Sequence, residues 1–174
     1  MEKYHQAIDR FQKCMELDGE DAMALCYIGE AHEQLNEFEL SKHYYQLSLA
    51  LAPMLPEAWL GLGIIEDLEG RTKEGIVLIN KAIELEPKNS DWLFNRAFLY
   101  QTMEQYDKSL SDYLKIIEMD STQTNAFNNV ALIYKYEDLM NITPNINKIF
   151  FEDFLLRMKS NSSEIGPVMK SMTV

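Results

Sequence analysis

The sequence has little of the material from which catalytic and metal centres are built. Its three histidines, His5, His32 and His43, are scattered, and its two cysteines, Cys14 and Cys26, lack the CxxC spacing of a metal or redox site. No glycine-rich phosphate loop, nucleophile elbow or HExxH motif occurs. We therefore expect no enzyme activity, no metal centre and no cofactor. Both cysteines are expected to be free thiols.

Long hydrophobic segments and basic residues are also scarce. No apolar run approaches the roughly 18 residues of a membrane helix, and no charged and then apolar leader follows Met1. Only 16 lysines and arginines balance 28 aspartates and glutamates, which gives a net charge of −12. Such a chain repels phosphate backbones and anionic lipids, so we expect no nucleic acid and no membrane partner. The expected location is cytoplasmic.

What the sequence does have is an internal repeat. Large residues recur every 34 positions, at Leu25, Trp59, Leu93 and Phe127. Other residues recur around them at constant offsets, and a fixed period between about 20 and 50 residues is typical of stacked repeat arrays. Each repeat unit also contains a pair of small residues, one on a first helix and one on a second helix. We expect the two helices to pack closely at these pairs, which are Gly29 with Ser41, Gly63 with Gly75, and Ala97 with Ser109.

These recurring residues resemble the tetratricopeptide repeat (TPR) family from Met1 to about Asp138. The resemblance implies an all-α fold, a right-handed α-solenoid in which antiparallel pairs of a helix A and a helix B stack. Two positions depart from the pattern, because Glu66 and Arg96 stand where apolar or aromatic residues are usual. Imperfect packing is expected at both positions, but not a different fold.

The repeat register also predicts where units begin and end. In chain order we expect a half repeat with only a helix B (1–21), three full repeats (22–55, 56–89 and 90–123), a degenerate repeat or a helix A with a capping helix (124–159), and a disordered tail (160–174). A broad apolar face is predicted for a helix at 145–159. This helix either caps the end of the stack or fills the groove as a ligand.

A second face of the A helices is expected to be exposed. Trp59 and Leu62 point to the core, so Leu60 and Ile64 lie roughly 100–140° away on another face of the same helix. In TPR proteins that face lines a concave groove, and the resemblance therefore implies an apolar patch across neighbouring helices. The groove candidates are Leu60, Ile64, Phe94, Asn95, Phe98, Asn128 and Leu132, and the acidic rim candidates are Glu30, Glu33, Glu57, Asp67 and Asp91.

An apolar patch with a charged rim is typical of an interaction site, although the same residues could pack on one another between helices. The sequence thus predicts a module that binds a protein or peptide, such as a basic or amphipathic helix. TPR proteins that hold a chaperone's terminal carboxylate use lysine, asparagine and arginine on successive A helices. Only Asn95 fits that pattern here, so we do not expect this activity.

Two other classes of function stay open. One is a structural self-assembly module, a homodimer joined through its repeat ends, for which Tyr4, Phe11 and Leu17 of the half repeat are the contact candidates. The other is the repeat portion of a larger enzyme or membrane-anchored machine.

Overall fold

The computed structural model describes residues 1–139, in which all regular structure is helical. The eight helices are α1 (Glu2–Asp18), α2 (Ala22–Gln34), α3 (Phe38–Leu51), α4 (Pro56–Leu68), α5 (Thr72–Leu85), α6 (Ser90–Thr102), α7 (Tyr106–Met119) and α8 (Thr124–Leu139). The all-α prediction is therefore confirmed for this part of the chain. The predictions for residues 145–159 and 160–174 fall outside the described residues.

Local sequence signals explain where several helices begin. Asp21 caps α2, because its Oδ1 accepts a hydrogen bond from the backbone N–H of Ala24 at 2.7 Å. Asn89 caps α6 in the same way. At the start of α4, Pro56 occupies the first turn, where its missing N–H costs nothing. These polar and proline residues fix where α2, α4 and α6 begin.

The chain divides into two compact units, Met1–Met103 and Glu104–Val174. The first contains α1 to α6, which short turns connect into antiparallel neighbours. Its core is built from successive contacts between α1 and α2, α2 and α3, α3 and α4, α4 and α5, and α5 and α6. In the second unit α7 packs against α8. Each helix thus buries its apolar stripe mainly against its neighbours in sequence, as in stacked repeats.

Helices α4 and α5 approach so closely that only glycine fits at the crossing. A Cβ atom on Gly63 would lie 2.6 Å from Cγ1 of Ile79 and 2.8 Å from the carbonyl oxygen of Gly75. A Cβ atom on Gly75 would lie 2.5 Å from the carbonyl oxygen of Gly63. The predicted meeting of these two glycines is confirmed. Ala97 and Ser109 are both buried, but they belong to different compact units.

A large side chain from α3 fills the space between two A helices. A Cβ atom on Gly29 of α2 would lie 3.0 Å from the ring of Tyr45, and one on Gly61 of α4 would lie 2.2 Å from its Cζ. Both glycines therefore leave room for a single aromatic ring. Ser41, the expected partner of Gly29, is fully buried on the same helix as Tyr45.

The two departures from the repeat pattern carry polar partners where imperfect packing was expected. Glu66 pairs with Arg71 and with Lys42, whose Nζ lies 3.0 Å from its Oε1. Arg96 donates to Oδ1 of Asn80 at 2.7 Å. Each charged head is therefore matched by an ion pair or a hydrogen bond.

Candidate interaction surface

Four apolar groove candidates lie on two A helices of the first unit. Leu60 and Ile64 are on α4, and Phe94 and Phe98 are on α6. Phe98 is 51% exposed and the other three are half-buried, whereas the core-facing Leu62 on α4 is buried. The core positions are thus filled by other side chains, and these four remain at the surface. We call them the groove face.

The remaining groove candidates are Asn95 on α6 and two residues of the second unit. Asn95 turns back to its own helix, where its Nδ2 donates to the carbonyl oxygen of Asp91 at 2.8 Å. Asn128 and Leu132 lie on α8 in the second unit, and both are exposed.

Three of the five rim candidates share one site. Glu30, Glu33 and Glu57 all act on the thiol of Cys26: burial, followed by the charges of these glutamates, raises its pKa to about 12. Cys26 occupies on α2 the repeat position that Leu60 occupies on α4. Glu30 and Glu33 lie on α2 and Glu57 lies in the first turn of α4, and we call these three residues the glutamate cluster.

Glu33 is held in place by a hydrogen bond from Tyr45, a buried residue of α3. The hydroxyl of Tyr45 donates to Oε2 of Glu33 at 3.1 Å. Burial and then the negative charge of Glu30 raise the pKa of Glu33, although the hydrogen bond from Tyr45 acts in the opposite direction. A buried tyrosine hydroxyl requires a partner, but the repeat pattern does not indicate which residue provides it.

Glu57 is the least satisfied member of the glutamate cluster. Its Oε2 is buried and has no hydrogen-bond partner. Within the residues that the structure describes, no lysine, arginine or histidine forms an ion pair with any of the three glutamates. Since a carboxylate oxygen withdrawn from water is costly without a donor or cation, Oε2 of Glu57 is the unsatisfied atom of this cluster.

The other two rim candidates lie apart from that cluster. Asp67 accepts a hydrogen bond from Oγ1 of Thr72 at 2.6 Å and so supports the turn between α4 and α5. Asp91 is exposed in the first turn of α6. In the described part of the chain, no set of histidine, cysteine, aspartate and glutamate side chains is placed to hold a metal ion. No helix there is long and apolar enough to span a bilayer.

The end-face candidates occupy α1. Phe11 stacks on Tyr27 of α2 with 5.4 Å between the ring centroids. Tyr4 is partly exposed and Leu17 is largely exposed. Tyr27, which sequence reasoning did not single out, thus shares this surface with Tyr4 and Phe11.

Comparison with known families decides the identity of the repeats. One tetratricopeptide repeat model matches residues 24–53 and 56–89, and a second matches residues 78–111. The chain belongs to the tetratricopeptide repeat family. This TPR protein is similar to anaphase-promoting complex subunit 3 of Schizosaccharomyces pombe, at 24% identity over 71% of this chain and 19% of that protein. BBSome complex member bbs-4 of Caenorhabditis elegans is 25% identical over 64% of this chain and 24% of its own length.

Solved structures share the fold of this TPR protein. A crystal structure of MamA aligns with a TM-score of 0.69 at 18% identity and covers 91% of this chain and 90% of that one. The first TPR of Spaghetti (RPAP3), bound to the HSP90 peptide SRMEEVD, aligns with a TM-score of 0.62 at 14% identity and covers 66% of this chain and 91% of that one. These likenesses establish the helical repeat architecture. The chain spans about a fifth to a quarter of the two curated relatives, at 19% and 24% of their lengths.

Proposed function

We propose that this TPR protein is a non-enzymatic interaction module that binds a polypeptide segment along the groove face and the glutamate cluster. The observation that carries the proposal is the combination of a half-exposed Phe98 with a buried, unpartnered carboxylate oxygen on Glu57. Apolar side chains supply contact area, and the carboxylates select the charge of what binds.

The chemistry of the partner follows from these two parts. Leu60, Ile64, Phe94 and Phe98 lie on A helices and suit apolar anchors spaced along a helix or an extended segment. The glutamate cluster suits a lysine or arginine beside those anchors. The preferred partner is therefore basic and amphipathic. An acidic tail such as the HSP90 peptide in the RPAP3 complex does not fit, because Asn95 is the one matching donor and already bonds to Asp91.

A labelled amphipathic helix of leucine and lysine is a suitable probe, with fluorescence anisotropy as the measurement. Phe98→Asp should weaken its binding by about tenfold or more, or ~1.4 kcal/mol, because the anchor contact is lost. Val77→Asp is the matched control, since Val77 is 58% exposed but lies on α5. Equal loss in the two variants would place the binding site elsewhere.

The glutamate cluster should set the charge preference of the same probe. Glu33→Gln and Glu57→Gln should each weaken binding of the leucine and lysine peptide. Glu74→Gln, which changes an exposed residue on α5, should leave binding unchanged. A second peptide with glutamate in place of lysine should bind poorly to the wild type. If both peptides bind equally well, the glutamate cluster does not select a basic partner, even if the apolar residues of the groove face contact the peptide.

Affinity should also depend on pH in a defined direction. Burial raises the pKa of Glu33 in the free protein, and a bound cation would lower it again. Binding of the lysine peptide should therefore weaken as the pH falls through the pKa of Glu33 in the free protein. Glu33→Gln should flatten this part of the profile, and an unchanged profile in that variant would assign the titration to another group.

A further inference from the structure

Tyr45 reaches from α3 between two A helices of the first unit, α2 and α4. A Cβ atom on Gly29 of α2 would lie 3.0 Å from its ring, and a Cβ atom on Gly61 of α4 would lie 2.2 Å from it. Helix α3 packs against both α2 and α4, and Tyr45 is only 3% exposed. Because the ring is held between these two glycines, its hydroxyl group is carried to one fixed place.

The hydroxyl group of Tyr45 meets a carboxylate of the glutamate cluster. It lies 3.1 Å from Oε2 of Glu33. An ionised carboxylate only accepts hydrogen bonds, so the hydroxyl is the donor. Burial first, and then the charge of Glu33, raise the pKa of Tyr45, so the hydroxyl keeps its proton wherever Glu33 titrates. Tyr45 is therefore a permanent neutral donor to Glu33.

This combination of tyrosine, glycine and glutamate is absent from the equivalent positions of the next two repeats. There, in chain order, the tyrosine position holds Ile79 and Tyr113, the position of Gly61 holds Asn95 and Asn129, and the position of Glu33 holds Asp67 and Gln101. Ile79 and Tyr113 are nevertheless fully buried. The core is thus filled at these positions without the combination, and a bond to Glu33 is not a requirement of the repeat.

Glu33 needs a donor because its surroundings disfavour its charge. Burial raises the pKa of Glu33, the hydrogen bond from Tyr45 lowers it, and the charge of Glu30 on α2 raises it further. The other titratable groups of this site are the thiol of Cys26 on α2 and the carboxyl group of Glu57 on α4. Among the groups that act on Glu33 in the described part of the chain, Tyr45 alone favours the ionised form.

We propose that Tyr45 is a positioning residue that keeps the Glu33 carboxylate ionised, and that it thereby sets the charge which the glutamate cluster offers to a partner. This inference rests on the proposed function, in which those glutamates select a basic segment. Gly61 admits the ring that brings the hydroxyl to this carboxylate. Because the donor is already in place in the free protein, the charge is preorganised before a lysine or arginine arrives.

Tyr45→Phe tests this role, because it removes the hydroxyl and leaves the packed ring in place. Carbon-13 NMR of the glutamate carboxyl groups in the free protein should show Glu33 titrating at a higher pH in the variant than in the wild type. Tyr44→Phe is the matched control, since it removes from the same helix a hydroxyl that accepts a bond from Nε2 of Gln12 at 3.3 Å. An unchanged Glu33 titration in Tyr45→Phe, or an equal shift in Tyr44→Phe, overturns the proposal.

Binding of the leucine and lysine peptide separates an effect on charge from an effect on packing. In Tyr45→Phe the affinity should fall by about two- to tenfold below the pH at which Glu33 titrates, which is the range for one hydrogen bond. At higher pH it should converge on the wild-type value. In a Glu33→Gln background the same change should have little effect.

A loss of affinity that is equal at all pH values, or that persists in the Glu33→Gln background, overturns the role of Tyr45 in setting charge. The two proposals fail separately. If the wild type binds no peptide, the proposed function is wrong, while the carboxyl titration in the free protein still decides whether Tyr45 keeps Glu33 ionised.

Discussion

At the scale of single residues, the turn between helix A and helix B has the same left-handed backbone conformation in three successive repeats, but it is occupied by three different residue types. Asn36, Gly70 and Glu104 are 34 residues apart, and each has a positive φ, of 60°, 81° and 58° respectively. Glycine adopts this left-handed region freely and asparagine tolerates it. A glutamate does not, so Glu104 carries strain that its counterparts avoid.

Replacement of Glu104 by glycine should therefore stabilise the protein. The left-handed backbone costs roughly 1–2 kcal/mol for a residue with a Cβ atom, and glycine removes this cost. The greater freedom of glycine in the unfolded chain offsets part of the stabilisation. The net increase in the free energy of unfolding should be about 0.5–1 kcal/mol in urea denaturation. Gly70→Ala should lower it, and Asn36→Gly should change it little. Loss of stability in Glu104→Gly would show that its side chain matters more than its backbone.

Gly75 provides the opposite case, where an added methyl group is harmful. Alanine is favoured over glycine inside a helix by about 1 kcal/mol. At Gly75, however, the new Cβ would lie 2.5 Å from a backbone oxygen that cannot rotate away. Overpacking should dominate, so Gly75→Leu should cost about 1–3 kcal/mol and Gly75→Ala should also destabilise. Ala50→Leu, at an exposed site on α3, is the volume control. Unchanged thermal stability in both Gly75 variants would contradict this packing.

At the scale of helices, the sequence period predicted which faces meet, because spacing alone sets the face of a helix. It placed the contact between Gly63 and Gly75, where each glycine faces the backbone of the other. Periodicity cannot predict which polar side chains pair across helices, since this depends on rotamers. The bond from Tyr45 to Glu33 therefore emerged only from the structure.

The aromatic contact between α1 and α2 was only half predicted. Tyr4 and Phe11 were expected at an end face, but their contact with α2 depends on a substitution between repeats. Tyr27 stands where the equivalent residue of the next repeat is Gly61. A ring at that place stacks on Phe11, whereas the glycine admits Tyr45. A comparison of Tyr27 with Gly61 in the sequence indicates that the packing differs between the two repeats, but it does not predict the geometry of the ring contact.

An ion-pair network joins α3 to the turn after α4, and it should make stability depend on pH. The pKa of Glu66 is lowered mainly by a hydrogen bond from Arg71 and further by one from Lys42. The pKa of Glu69 is lowered mainly by a hydrogen bond from Lys42 and further by one from Arg71. A carboxyl group whose pKa is lowered in the folded state stabilises the folded protein at pH values above its ordinary pKa of 4.5. This contribution is lost as the pH falls through the lowered pKa.

Lys42→Met should reduce that loss, because it removes a cation shared by both glutamates. Unfolding measured by urea at several pH values should show a shallower decline below pH 4.5 in the variant than in the wild type. Lys73→Met, which removes an exposed lysine from α5, is the matched control. The raised pKa of Glu33 acts in the opposite direction in both proteins, so the difference between variants is the quantity to compare.

At the scale of the whole chain, charge acts on stability and on binding in opposite ways. A net charge of −12 means that repulsion between like charges opposes the compact state. The same excess of carboxylates should attract the basic partner proposed above.

Salt should therefore raise stability and lower affinity together. An increase in ionic strength from about 0.01 M to about 0.15 M shortens the Debye length from roughly 30 Å to about 8 Å and so screens the repulsion. The exposed ion pairs weaken at the same time, but each contributes only about 0–1 kcal/mol, so screened repulsion should prevail. The thermal midpoint should rise with salt, while the leucine and lysine peptide binds less tightly. Glu84→Lys, an exposed change on α5, should reduce the rise in the midpoint and leave the peptide affinity nearly unchanged. A midpoint that falls with salt would mean that the Lys42 and Arg71 network outweighs the net charge.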